Sequence, residues 1–189
     1  MQEDIRIDLR LFIGSMLLTV FAYPAILLLF GSVVAPDRAA GGLLHGPDGS
    51  IVGSRLIAQE FRWDGYLWPR PSAVGFDGSA AGGSQLAASN PRLRARVESD
   101  LVRYGASRER PVPVELVTVS GSGLDPHISL KGALYQSSRI AAARKVSAER
   151  VRSILRDQST HALAGAPHLV NVLETNLALD NVLGGSRPP

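Results

Sequence analysis

Residues 11–36, LFIGSMLLTVFAYPAILLLFGSVVAP, carry no charged side chain, and Arg10 and Asp37 bracket them. As a helix, these twenty-six residues would rise roughly 39 Å. A bilayer core needs only about 30 Å. The pattern predicts a transmembrane helix over 11–34. A cleaved signal peptide fits less well, because its apolar region is roughly 7–15 residues long and ends at a small-residue cleavage site; here Pro36 follows Ala35. Gly14, Pro24 and Gly31 would be odd in a soluble core helix. Membrane spans tolerate them, because neighbouring helices can satisfy freed backbone groups.

Beyond the span the pattern breaks into short pieces. Residues 35–49 are rich in Gly, Pro and Asp and read as a linker ending in a turn. SIVGSRLIAQEF predicts a strand with Ile51, Val52, Leu56, Ile57 and Phe61 as its apolar positions. Residues 62–90 show no period. A structureless loop of that length is unusual, so it is either functional or packs through Trp63, Tyr66, Trp68 and Phe76. A helix follows, with Asn90 as its cap, Pro91 in first position and Leu93, Val97, Leu101 and Tyr104 on one stripe. Arg94 with Glu98 and Arg96 with Asp100 form i,i+4 pairs on a solvated face. VPVELVTVS predicts a strand. SLKGALYQSSRIAAAR predicts a helix over 129–144, and Ser147 caps another that buries Val151, Ile154 and Leu155. After a break at Gly165 and Pro167, HLVNVLE predicts a buried strand and TNLALDNVL a closing helix.

The predicted architecture is a single N-terminal transmembrane helix followed by a mixed α/β (α+β) extracytoplasmic domain. Its parts are a cytoplasmic N-terminus (1–10), the span (11–34), a linker (35–49), the domain (50–183) and a disordered tail (184–189). Arg6 and Arg10 before the span outnumber Arg38 after it, which favours a cytoplasmic N-terminus and an outer domain.

Charge and composition narrow the chemistry. Residues 37–189 carry 18 Lys and Arg against 14 Asp and Glu, unclustered and without interleaved aromatics, which argues against nucleic-acid binding. The absence of cysteine excludes disulfides, thiolate metal sites and cysteine nucleophiles.

The most unusual loop is SGSGLDPHIS, residues 120–129. It lacks the lysine of a Walker phosphate loop and the first glycine of a nucleophile elbow. Ser122, Asp125 and His127 could serve an anchored hydrolase, but an Asp-Pro turn leading into a Ser129-capped helix accounts for the same residues. His45, His127, His161 and His168 show no metal-ligand spacing. The GGS of residues 82–84 could cradle an anion or simply flex. Trp68 and Arg70 read equally as a recognition surface of a standalone binding module or as a core tryptophan beside a solvated arginine.

Six ordered segments, GSRLIAQEF, YLWPRPSA, AGGSQLAASNP, VPVELVTVSGSGLDPHIS, YQSSRIAAAR and VNVLETNLALD, together with Tyr23-Pro24 in the span, resemble the C subunit of the Kdp-type potassium-transporting ATPase over roughly residues 10–182. The resemblance implies an accessory subunit without an ATPase site of its own. Its implied partners are a potassium channel-like subunit, a P-type ATPase subunit, a small single-span subunit and the lipid bilayer. ATP and potassium would be handled by the complex, with no tightly bound cofactor or metal here. The family is described as a catalytic chaperone that raises ATP affinity, with a nucleotide contact that maps to Gln136. An outer domain cannot reach cytoplasmic ATP, so a role in assembly and potassium access at the cell membrane is the preferred expectation. The expected docking and ion-access surface comprises Trp68, Arg70, Ser72, Gly82, Gly83, Ser84, Asp125 and His127. Three positions depart from the family's usual pattern: Leu130 for proline, Gln85 for asparagine and Thr175 for leucine.

Overall fold

The computed structural model describes residues 2–46, 48–161 and 167–184. The chain forms two compact units, Met1–Leu43 and Leu44–Pro189.

The first unit is helical: α1 (Gln2–Met16), a π-helical turn (Leu17–Ala22), α2 (Tyr23–Val34) and the short α3 (Pro36–Ala39). Pro24 explains the π turn. Its ring lacks an N–H and crowds the carbonyl four residues earlier, and widening the turn relieves that crowding. The Tyr23 N–H accordingly bonds the Leu18 carbonyl, five residues back. Within this segment Ser15, Thr19 and Ser32 donate their hydroxyls to the carbonyls of Phe12, Ser15 and Leu29, so these three hydroxyls need no partner from outside the helix. Ile5–Val34 is long and apolar enough to cross a membrane.

The second unit mixes small sheets with helices. Residues 35–49, expected as a linker, hold α3 and β1 (Leu43–His45), which pairs with β2 (Ile51–Ser54) in a hairpin. The strand expected through Phe61 ends at Ser54, leaving Leu56 and Ile57 exposed in a turn. Then come α4 (Pro91–Arg103), β3 (His127–Ser129), α5 (Leu130–Arg144), α6 (Ala148–Asp157), β4 (Ser159–His161), β5 (His168–Asn171) and α7 (Val172–Leu183). Strands β3, β5 and β4 form an antiparallel sheet in that order, with Ile128 opposite Val170 and Thr160 opposite Leu169.

The helices start where the sequence places their caps. Asn90, Ser129 and Ser147 each accept a hydrogen bond from a first-turn N–H. Val151, Ile154 and Leu155 of α6 are buried as expected. They meet Ile140, Leu116, Val170 and Leu179 in one core, each large aliphatic side chain contributing roughly 1.5–3 kcal/mol by burial.

Two further elements differ from expectation. The strand expected in VPVELVTVS is a 3₁₀ turn, Val114–Val117. Pro111 and Pro113 deprive this stretch of ladder donors, and the Leu116 N–H bonds the Pro113 carbonyl instead. The closing helix begins at Val172, inside the expected strand, because the Asn171 side chain accepts from the Glu174 N–H and caps it there. Gly165 and the tail after Gly184 lie outside the described residues.

Thr175, in α7, is fully buried and its hydroxyl has no hydrogen-bond partner. Thr175→Val removes that orphan while keeping the shape, so urea unfolding of the full chain in detergent should show a gain of about 1 kcal/mol.

Candidate functional site

Residues 62–90 contain no helix or strand, yet Tyr66, Leu67 and Trp68 are among the most buried residues in the second unit. An extended segment in a core must find partners for its backbone groups. Two side-chain amides supply them. Asn176 of α7 accepts from the Leu67 N–H at 2.7 Å and donates to the Leu67 carbonyl at 3.0 Å. Gln136 of α5 does the same for Trp68, accepting and donating at 3.0 Å. Each amide thus replaces one residue of a neighbouring strand.

Arginines complete this clamp. Arg139 donates to the carbonyls of Asp64 and Tyr66 and to Gln136 Oε1, and its guanidinium stacks 3.4 Å from the centre of the Trp68 ring. Burial pulls its pKa down to about 10, still above neutral pH, so it remains a cation. Arg144, almost wholly buried, binds the Gly65 carbonyl and pairs with Asp180 at 2.7 Å. The other oxygen of Asp180 accepts from the Tyr66 hydroxyl at 2.8 Å. A buried pair is tolerable when its remaining polar atoms are satisfied in this way.

Trp68, expected on a docking surface, is therefore a core residue at 5 % exposure, its indole N–H bound to the Trp63 carbonyl. Gln136 is 1 % exposed, and its amide is occupied by the chain itself.

From Trp68 the chain runs out through Pro69 to the surface, where three loops distant in sequence meet. Arg70 pairs with Asp125 at 3.3 Å and donates to the carbonyls of Thr118 and Val119. The Ser120 N–H bonds the Pro71 carbonyl, and the Gly82 N–H bonds the Ser122 carbonyl. Gly123 sits at the centre with φ +71°; a Cβ there would fall 2.9 Å from the Gly82 carbonyl oxygen and 2.7 Å from Val74. Only glycine fits that approach. Ser72 accepts from the Val74 and Phe76 N–H groups, while Gly83 and Ser84 are half-buried beside it in sequence with Gly82. The expected residues Arg70, Ser72, Gly82, Asp125 and His127 are thus brought into one region; Trp68 lies beneath it.

Ser122, Asp125 and His127 serve the loop's own turns. The Ser122 hydroxyl accepts from the Leu124 N–H. One Asp125 oxygen accepts from the His127 backbone N–H and the other pairs with Arg70. The His127 ring is 3.9 Å from Asp125, beyond hydrogen-bond range. No group of three or more His, Cys, Asp or Glu side chains suited to a metal occurs among the described residues.

Asn176, Arg139, Arg144 and Asp180 were not singled out by the sequence. A signal was present: Gln136 lies between Ala133 and Ile140, and Asn176 between Leu173 and Leu179, each a polar residue on a buried helical stripe. Such residues are hydrogen-bonded as a rule.

The family model for the c chain of the K+-transporting ATPase, KdpC, matches residues 5–181. A "Potassium-transporting ATPase KdpC subunit" of Parvibaculum lavamentivorans is 42 % identical over 95 % of this chain and 97 % of its own. Proteins of the same name from Pseudomonas savastanoi pv. phaseolicola and Pseudomonas putida F1 are 38 % and 40 % identical, covering 99 % and 96 % of this chain and 98 % of their own.

Asn176→Ala or Gln136→Ala would leave a buried N–H and carbonyl without partners, so each should lower unfolding free energy by about 2–4 kcal/mol; Ser84→Ala should stay within about 0.5 kcal/mol. Gln85 adopts the left-handed conformation, φ 49°, which asparagine enters more readily. Gln85→Asn should raise the unfolding midpoint.

Proposed function

The chain belongs to the KdpC family, the c chain of the K+-transporting ATPase, and from that premise we propose that it is a non-catalytic accessory subunit of an ATP-driven potassium uptake complex. Its apolar helix anchors it in the cell membrane, and the second unit lies outside the cytoplasm, as the excess of Arg6 and Arg10 over Arg38 favours. The partners are the channel-like subunit, the P-type ATPase subunit and the small single-span subunit, within the lipid bilayer.

One observation carries the reading: the convergence of the loops around Arg70, Gly82 and Asp125 on a fixed scaffold. A rigid, loop-built surface suits docking, because little order remains to be gained on binding. This surface docks on the channel-like subunit and places Asp125 near the potassium entrance. Asp77, whose carboxyl is held below the usual range by hydrogen bonds from the Ser79 hydroxyl and N–H, adds negative charge.

The catalytic-chaperone effect on ATP affinity passes through the complex. A nucleotide reaching Gln136 would have to displace the Trp68 backbone from its amide. Gln136 supports ATP use by holding the docking surface in place.

Detergent extraction of tagged full-length chain should recover a complex with potassium-stimulated ATPase activity, lost when this chain is omitted. Asp125→Ala with Asp77→Ala should weaken either assembly or potassium affinity. Recovery of a lone chain from cells that express the pump subunits, or a double variant unchanged in both properties, would contradict the reading.

A further inference from the structure

A cleft of about 230 Å³ opens in the second unit beside the buried Trp68. Arg70, Arg96, Arg103 and Tyr104 line it, with Glu60 and Asp100. Two of the arginines are already committed. Arg70 pairs with Asp125, and Arg96 pairs with Asp100 at 2.7 Å and reaches the Val117 carbonyl. Even so, Arg96 Nε is buried with no hydrogen-bond partner. Arg103, an exposed residue, stacks 4.0 Å over Trp68 and stabilises the Asp100 carboxylate electrostatically, with no ion pair given for it among the described residues. Tyr104 is 8 % exposed, and its hydroxyl has no hydrogen-bond partner among the described residues.

These are all donors. Arg96 Nε, buried without a partner, costs about 1–3 kcal/mol; Arg103 is an exposed residue of the lining. Mainly through burial, the Tyr104 hydroxyl is pushed up to about 12, so at neutral pH it remains an O–H donor. Of the acids, Asp100 is engaged by Arg96, and Glu60 pairs with Arg62 at 3.0 Å, turned to solvent.

We propose that this cleft binds a single small oxyanion, a phosphate or carboxylate group, through Arg103, Arg96 Nε and the Tyr104 hydroxyl. Guanidinium and phenol donors around one oxyanion form charge-assisted hydrogen bonds, the stronger class. The Trp68 face under Arg103 keeps the guanidinium in position without neutralising it. The group is either a free anion or one carried on an acidic side chain of a neighbouring subunit. Binding by the chain alone does not depend on the potassium-pump reading.

The test is the ³¹P linewidth of inorganic phosphate titrated with the full-length chain in a phosphate-free detergent. Saturable broadening that acetate competes away is expected. Arg103→Met, which keeps the stem over Trp68, should weaken binding roughly tenfold. Tyr104→Phe should weaken it several-fold while leaving the unfolding midpoint without phosphate unchanged, because the hydroxyl has no partner to lose. Repeating the titration on the assembled complex separates the sources. Retained broadening there assigns the site to free anion. Loss there, with broadening kept by the chain alone, assigns it to a partner's acidic side chain. Absence of saturable broadening in the chain alone, or broadening indifferent to both substitutions, would overturn the proposal.

Discussion

The second unit depends on two side-chain amides that do the work of a missing strand. Leu67 and Trp68 run through the core with no strand alongside, and Asn176 and Gln136 each give one residue the donor and acceptor that a neighbouring strand would have given. Because the amides come from α7 and α5, the extended segment can stay in place only while both helices are docked. The interaction is local in chemistry but ties together residues more than a hundred positions apart in the case of Leu67 and Asn176.

This arrangement links the interior to the surface. Arg139 holds Gln136 from one side and Trp68 from the other, and Arg144 holds Gly65 and Asp180. Pro69, Arg70 and Pro71 then emerge in a fixed direction, and Arg70 reaches across to Asp125 and the carbonyls before it. The loops that look most like a binding surface therefore take their geometry from a polar network beneath them.

Much of the fold was legible where local rules decide it. The uncharged run from Leu11 needed only length and composition, and Asn90, Ser129 and Ser147 announced three helices by capping chemistry alone. Tertiary choices were less visible. β-branched residues in VPVELVTVS favoured a strand, but Pro111 and Pro113 removed its donors, and a 3₁₀ turn resulted. The HLVNVLE run could not reveal that Asn171 would turn its amide into a cap and end the strand. Arg96 and Asp100 satisfied the spacing of a solvated pair, yet α4 packs against the 3₁₀ turn and half-buries both. At the candidate site, the sequence found the loops that meet but not the clamp that makes them meet, since Asn176 and Gln136 are distant in the chain and meet only in the fold.

The most direct measurement is residue-resolved hydrogen exchange on the full-length chain in detergent. The Leu67 and Trp68 amides belong to no helix or sheet, so a chain lacking the clamp would exchange them as fast as an ordinary loop. The account predicts that both exchange as slowly as the core of α5, and that Asn176→Ala releases Leu67 first. Rapid exchange at both positions in the unaltered chain would contradict it.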